Sequence, residues 1–362
     1  MSWRRYVNND ISLSGLVDLL SAGIATPHQV CLSMGDCRFR VLTNSANLAR
    51  ELTTYFGPFL NSGHDADITI TALQTEVPKL GLVFQVKEPD PGKTKIKEEW
   101  ADIDGGRVIR KRLTGMHFLF GQGENLAVGD CEANPNQVVN FINNRFIERK
   151  LNDGCLLAHA AGVAVCETGM AMAGFSGMGK STLALHLVSK GVTFVSNDRL
   201  MISPGSAGPV MFGVAKHPRI NPGTALHNPD LTGIISPEDT ARFQSLPPEE
   251  LWSLEHKYDA LIDQLFGPDR FILQCPMRYL VLLNWHRDGS PTRIEEIDIS
   301  ARHDLLEAFM KDTGLFFTAE NGYAPTADDY AKALAGCRVF EISGGVDFDQ
   351  AANGCLRLLE KA

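Results

Sequence analysis

Gly174, Gly179, Lys180 and Ser181 in "GFSGMGKST" fit the spacing G-x-x-x-x-G-K-[ST], which is the Walker A spacing and suits one kind of chemistry. Its glycines reach backbone conformations closed to other residues, so successive amide N–H groups converge on phosphate oxygens at a helix N-terminus, where the helix dipole also favours negative charge. Lys180 is then placed to bridge the β- and γ-phosphates, and Ser181 to hold Mg²⁺ through its hydroxyl. The run Gly174, Phe175, Ser176, Gly177, Met178, Gly179, Lys180, Ser181 and Thr182 is the expected nucleotide contact, with ATP and Mg²⁺ as its ligands. Two other places could add chemistry: "VTFVSND", which ends in Asn197 and Asp198, and "LLAHAAGV", which carries His159.

Such a loop works only between a strand and a helix. "MAMA" supplies an apolar strand before it, and "STLALHLVSKG" a helix after it. In that helix Leu183, Ala184, Leu187 and Val188 share a face, Gly191 ends the helix, and Thr182, Leu185 and His186 are left to other faces. Ligands of α/β sheets bind beyond the carboxyl ends of strands, which is where Asn197 and Asp198 fall after "VTFV". From Cys155 the order strand, strand, glycine loop, helix, strand opens an α/β nucleotide-binding core. The apolar run 155–175 is read as two buried strands turning at Glu167-Thr168-Gly169 rather than as a membrane span, since it carries His159 and Glu167. Further on, "PVMFGVAKHPRINPGTALHNPD" is read as a strand entering a Pro/Gly-rich loop, and "MRYLVLLNWHRDGSPTRIEEIDI" as a hairpin turning at Asp288-Gly289. A helix at about 301–312, a strand "RVFEIS" and a helix from Phe348 complete this half.

The first half reads as a small α+β module. "VCLSMGDCRFRVLT" is taken as a strand, "SANLARELTTYFGPFL" as a helix and "ADITITAL" as a strand. "EPDPGKTKIKEEWADIDGGRV" is taken as a surface loop leading to strands at 108–113 and 117–120. The helix "NPNQVVNFINNRFIERKLNDG", with Val138, Val139, Phe141, Ile142 and Phe146 on one broad face, a cap at Asn134 or Asn136, and Gly154 as its stop, separates the halves. The expected division is residues 1–134 and 135–362.

"GFSGMGKSTLALHLVSKGVTFVSNDRLMI", preceded by "LLAHAAGVAV", resembles the catalytic core of HPr kinase/phosphorylase, and resembles more closely the related group called HprK-related kinase B. The resemblance covers 155–202. It implies a P-loop kinase core of the HPr kinase / PEP carboxykinase-like type, phosphorylation of a hydroxyl by ATP, and a homo-oligomer. It also implies roles for His159, which falls on the family's distinctive histidine, and for Asn197 and Asp198, which fall on its paired aspartates. The first of that pair is the family's proton acceptor, and an amide cannot take a proton from a hydroxyl. Three readings follow: Asp198 both holds the metal and acts in catalysis, or His159 takes the proton, or transfer needs positioning more than a base because its transition state is loose. The favoured arrangement puts Asp198 near Mg²⁺, with His159 tuning it and Asn197 orienting the acceptor hydroxyl; Lys180 completes the catalytic set. The glycine-rich segment that follows the core in HPr kinase/phosphorylases is absent, which makes a kinase the expectation over a phosphorylase.

Other features narrow the classes. A formal charge of -9 gives no general attraction to nucleic acid, and Arg110-Lys111-Arg112 is read as a strand or turn face. The opening "MSWRRYVNNDISLSGLVDLLSAG" has no uninterrupted apolar run and reads as a mature start. The eight cysteines include no C-x-x-C pair, which suits a reduced, cytoplasmic protein. Lys216, His217 and Arg219 could hold the acceptor or the nucleotide phosphates, whereas the spacing of His217, His227 and Asp230 matches no metal set. The remaining histidines, including His64, are read as ordinary surface or core residues, and no hydrolase elbow is found. The expectation is a Mg-ATP-dependent kinase acting on a protein serine or a small-molecule hydroxyl. Its competitor is a non-catalytic or weakly hydrolytic ATP sensor that recruits a partner protein.

Overall fold

A computed structural model describes residues 11–63, 65–89, 94–254, 256–319 and 322–361. The first ten residues of the opening segment, 90–93 of the Pro/Gly-rich loop, and His64 lie outside these. The chain has a mixed α/β architecture with several sheets and divides into two compact units, Met1–Glu148 with Thr313–Ala319, and Arg149–Asp312 with Glu320–Ala362. The division falls inside the helix Pro135–Asn152, where the sequence reading cut the chain ahead of that helix, at 134/135. The side chains explain the difference. Phe141 packs on Phe118, Phe316 of the returning segment packs on both, and Thr318 donates to Glu148, so most of the helix and residues 313–319 belong to the first core.

In that first unit, helix α1 (Leu13–Ser21) precedes strands β1 (His28–Met34) and β2 (Cys37–Thr43). Then come helix α2 (Ala46–Tyr55), strands β3 (Ile68–Gln74), β4 (Gln85–Val86), β5 (Glu98–Ile103), β6 (Gly106–Lys111), β7 (His117–Gly121) and β8 (Glu124–Gly129), and helix α3 (Pro135–Asn152). They form one eight-stranded sheet in the order β1-β2-β3-β8-β7-β6-β5-β4. Period-two alternation sorts its side chains: Leu119 joins Leu13, Leu16 and Leu20 of α1, while Phe118 and Phe120 meet Phe141 of α3. Two expectations need correction. "VCLSMGDCRFRVLT" is a hairpin, not one strand, because Gly35 takes φ +62° and turns the chain so that Met34 pairs with Cys37. "KEEWADI", read as loop, contains β5, whose Glu98 and Glu99 pair across to Lys111 and Arg110. That pairing also accounts for Arg110 and Lys111 of the short basic run.

The second unit carries β9 (Leu156–Ala158), β10 (Ala160–Val165), β11 (Thr168–Ala173), helix α4 (Lys180–Ser189), β12 (Thr193–Ser196), β13 (Leu200–Ser203), β14 (Val210–Phe212), β15 (Arg219–Ile220), helix α5 (Pro222–Leu226), β16 (Tyr258–Asp259), β17 (Gln274–His286), β18 (Arg293–Glu296) and β19 (Arg338–Gly345). Among the described residues no helix is long and apolar enough to cross a membrane, and the apolar run 155–175 forms three strands, β9 to β11. The nine-stranded sheet runs β12-β10-β11-β17-β14-β13-β9, with β19 beside β17 and β18 beyond it. The thirteen residues of β17 join the branches, pairing with β14 near their start and with β11 and β19 after it.

The expected hairpin at Asp288-Gly289 does not form. β19 lies between β17 and β18, parallel to the first and antiparallel to the second. The connection crosses the end of β19, and glycine makes room for it: a Cβ on Gly344 would stand 2.1 Å from the Pro291 carbonyl oxygen. Thr292 then donates to the Gly345 carbonyl at 2.6 Å.

The helix expected at 301–312 is also shorter, a 3₁₀ turn followed by His303–Leu306. Beyond it the chain meets the sheet: the Phe309 carbonyl accepts from the His159 N–H at 2.7 Å and Met310 bridges Ala158, while the Phe309 and Met310 N–H groups turn back to the Leu306 carbonyl. The segment 213–234 is not a bare loop either, since it holds β15, α5 and the 3₁₀ helix Pro229–Ile234.

Candidate functional site

Strand register brings the sequence-selected residues to one end of the second sheet. β10 runs antiparallel to both β11 and β12, with Ala160 opposite Ala173 and Gly162 opposite Ser196. The last residues of β11 and β12 and the first of β10 therefore lie at the same edge. From it emerge the glycine loop 174–179, the pair Asn197-Asp198, and His159, which sits in the one-residue break between β9 and β10. These segments share a pocket of about 560 Å³.

The loop turns through Gly177 at φ +85° and Gly179 at φ +87°. α4 begins on Gly179 with no side-chain cap, which leaves its first amide groups without the usual capping oxygen. Lys180 lies back along the loop and donates to the carbonyls of Gly174, at 2.6 Å, and Phe175, at 3.3 Å. Its ammonium is pushed down to about 8 by burial, against the pull of Asp198 and with Lys311 adding to the fall. Ser181 donates to Asn197 Oδ1 at 2.7 Å, and Thr182 meets Thr224 of α5 at 3.3 Å. Ser176, Gly177 and Gly179 line the pocket as well, while Phe175 is largely exposed. Met178 faces backwards, its carbonyl accepting from the Trp285 indole at 2.9 Å.

Gly179 packs against Phe348, whose ring would stand 2.6 Å from any Cβ placed there. Gly177 faces open space. Alanine at 177 should cost only the left-handed strain, about 1–2 kcal/mol; alanine at 179 adds a clash and should cost about 2–5 kcal/mol. Thermal unfolding of the two variants checks the order, and equal losses would mean that Phe348 yields.

Asp198 takes φ +69°, a conformation that aspartate and asparagine enter more readily than most residues. Its Oδ1 is 3.2 Å from His159 Nε2 and 3.5 Å from Lys311 Nζ. Burial works against its ionisation, but the hydrogen bond from His159, with Lys311 and Arg199 close by, holds the carboxyl well below the usual carboxylate range. Asp198 is therefore an anion at any working pH and a weak proton acceptor.

The donors Ser181 Oγ, Asn197 Oδ1 and the Asp198 carboxylate are all oxygens, and among the described residues no group of three or more His, Cys, Asp or Glu gathers into a cage. An oxygen-only set this small fits Mg²⁺, which keeps much of its shell for water and phosphate. Asn197, expected to orient an acceptor hydroxyl, has its oxygen engaged by Ser181.

Several residues around the pocket carried no local signal. Lys311 reaches Asp198 from a segment read as helix, and Phe348 and Arg287 arrive from distant strand and helix ends. Arg199 follows Asp198 directly and was open to inference from position alone. His217 is buried and accepts from the Ile262 N–H at 3.2 Å, and Arg219 pairs with Asp259 at 3.4 Å. His186, set aside as lying off the helix's main face, stacks on Phe348, and Leu185 is fully buried.

No family model matches this chain, and no curated protein matches it. Among solved structures, the Hpr(Ser) kinase/phosphatase from Coxiella burnetii is similar over 57% of this chain and 88% of its own, at 14% identity and a TM-score of 0.29. At that TM-score the overlap assigns neither family nor fold.

Proposed function

We propose that this chain is a Mg-ATP-dependent kinase that transfers a phosphoryl group to a hydroxyl acceptor. The observation that carries the proposal is the convergence, on one pocket, of an uncapped helix N-terminus behind a glycine loop, the ammonium of Lys180, and the oxygens of Ser181, Asn197 and Asp198. In this reading the loop amides and Lys180 hold the β- and γ-phosphates. Ser181 and Asp198 hold the metal, which when bound neutralises charge on the transferring group. The bond from the γ-phosphorus to the bridging oxygen breaks as the bond to the acceptor oxygen forms. The acceptor proton leaves toward the His159–Asp198 pair, and a loose transition state asks little of that base. Asn197 is assigned to orienting the Ser181 hydroxyl.

Purified protein with γ-labelled ATP and a cell extract tests the proposal. Transfer of label to any hydroxyl supports it. Tight Mg-ATP binding with no transfer, or with slow hydrolysis only, turns the assignment to a nucleotide sensor, and absence of binding removes both.

The position of Lys180 gives a pH dependence. An ammonium at about 8 in the free protein that is held charged by phosphate in the complex loses affinity as pH rises through that value. Between pH 7.5 and 9 the charged fraction falls from about three quarters to about a tenth, so Mg-ATP affinity should drop by about eightfold. Titration calorimetry at the two pH values checks this, and Lys180→Arg should flatten the dependence, because arginine stays protonated.

A further inference from the structure

The glycines at 177 and 179 open the loop to more than one shape. Glycine takes positive and negative φ with similar ease, so the peptide unit between Met178 and Gly179 can turn over at little local cost. The two settings differ in what they show a phosphate. In one, the Gly179 N–H faces the pocket; in the other, the Met178 carbonyl oxygen does, and its negative end repels an anion. The spacing G-x-x-x-x-G-K-[ST] permits the first setting without requiring it.

What selects the setting lies behind the loop. β17 runs parallel to β11, with Leu282 beside Ala173 where β11 ends, and continues under the loop, so that a Cβ on Gly174 would stand 3.0 Å from Leu283. It then delivers Trp285, which is 3% exposed and lies outside the pocket. Phe348, the first residue of the helix Phe348–Leu359, meets the indole edge-on with ring centres 5.0 Å apart. The indole N–H donates to the Met178 carbonyl at 2.9 Å. A trans peptide unit is planar, so its carbonyl and its N–H point to opposite sides, and among the described residues no peptide bond is cis. With the Met178 carbonyl held toward Trp285, the Gly179 N–H is turned away from it, to the side on which Gly179 lines the pocket. Among the described residues no backbone carbonyl accepts from that N–H. Turning the unit over would strip a buried indole N–H of its acceptor, which is costly.

We infer that Trp285 is a positioning residue for the phosphate cradle: its indole N–H, by holding the Met178 carbonyl, sets the Gly179 amide toward the bound triphosphate. The inference rests on the nucleotide reading of this pocket, and adds to it a residue from a distant strand that no loop motif contains.

The test removes the donor and keeps the ring. In the full chain, Trp285 is replaced by benzothienylalanine, whose sulfur stands where the indole N–H was, and in a second protein by Trp285→Phe. Titration calorimetry reads binding of a non-hydrolysable ATP analogue and of inorganic tripolyphosphate, each with Mg²⁺. Both replacements should weaken both ligands by at least about tenfold and by matching factors, because the loss falls on the phosphate chain that the two share. Thermal unfolding of the benzothienyl protein should stay close to that of the parent. Three results overturn the inference: affinity unchanged in both proteins; affinity lost in Trp285→Phe but kept with the benzothienyl ring, which would mean that the loop needs only bulk; or loss of the analogue with tripolyphosphate unchanged, which would put Trp285 on the nucleoside. The parent supplies a measurement that needs no variant. With isotope-labelled tryptophan, the Trp285 indole N–H should exchange slowly with deuterium when the analogue is bound, and rapid exchange there would show that the bond is not held and overturn the inference. A parent that binds neither ligand would remove the nucleotide reading itself, and the inference with it, whereas a parent that binds both and variants that match it remove the inference alone.

Discussion

Lys180→Ala should weaken Mg-ATP binding by at least about 100-fold and leave phosphoryl transfer undetectable, since removing one preorganised, charge-assisted donor from a partly dry site costs about 10²–10³ in rate on its own. The same change tests whether the loss is local. The folded state holds the Lys180 ammonium near 8, below its unfolded value, so the protonated form opposes folding. That penalty is fully present below pH 8 and fades as pH rises from 8 toward the unfolded value. Removing the group should therefore leave thermal stability at pH 7 unchanged or slightly raised, even as nucleotide binding is lost. Calorimetry for binding and thermal unfolding for stability, on one preparation, read both. A variant that unfolds and fails to bind would point to a structural lysine clamping Gly174 and Phe175 rather than a phosphate ligand.

Asp198→Asn should reduce phosphoryl transfer by about 10³-fold or more while changing Mg-ATP affinity by less than about tenfold. Asparagine accepts the same left-handed backbone, so φ +69° gives no reason for misfolding. What it removes is the negative charge held between His159, Lys311 and Arg199. His159→Ala acts through Asp198 and should cost less, about 10–100-fold. Because the carboxyl is held well below its ordinary range, rate measurements between pH 5 and 8 should show no step from Asp198. If Asp198→Asn kept full transfer while His159→Ala abolished it, the two roles would be exchanged, with His159 taking the proton.

The glycine loop, its flanking strand and helix, and the pair Asn197-Asp198 were legible in the sequence because each depends on a short window. An apolar strand, glycines at fixed spacing, a helical repeat stopped by Gly191 and a turn after "VTFV" are local preferences that neighbouring residues satisfy together. Much of what surrounds them was not local. β5 was hidden in a charged stretch whose glutamates are neutralised only by pairing with Lys111 and Arg110. β17 and β18 read as a hairpin because the turn chemistry at Asp288-Gly289 is correct for one, yet β19, some fifty residues further on, takes the place between them. Lys311 reached Asp198 because Phe309 and Met310 dock on the strand edge at Ala158 and His159, which fixes where the chain runs after the turn at Leu306. The sequence by itself determined which residues could grip a phosphate. The tertiary structure alone decided that Asn197 would hold Ser181 and that Phe348 and Trp285 would back the loop. Strand pairing joins segments more than a hundred residues apart, and no local pattern records which segments those will be.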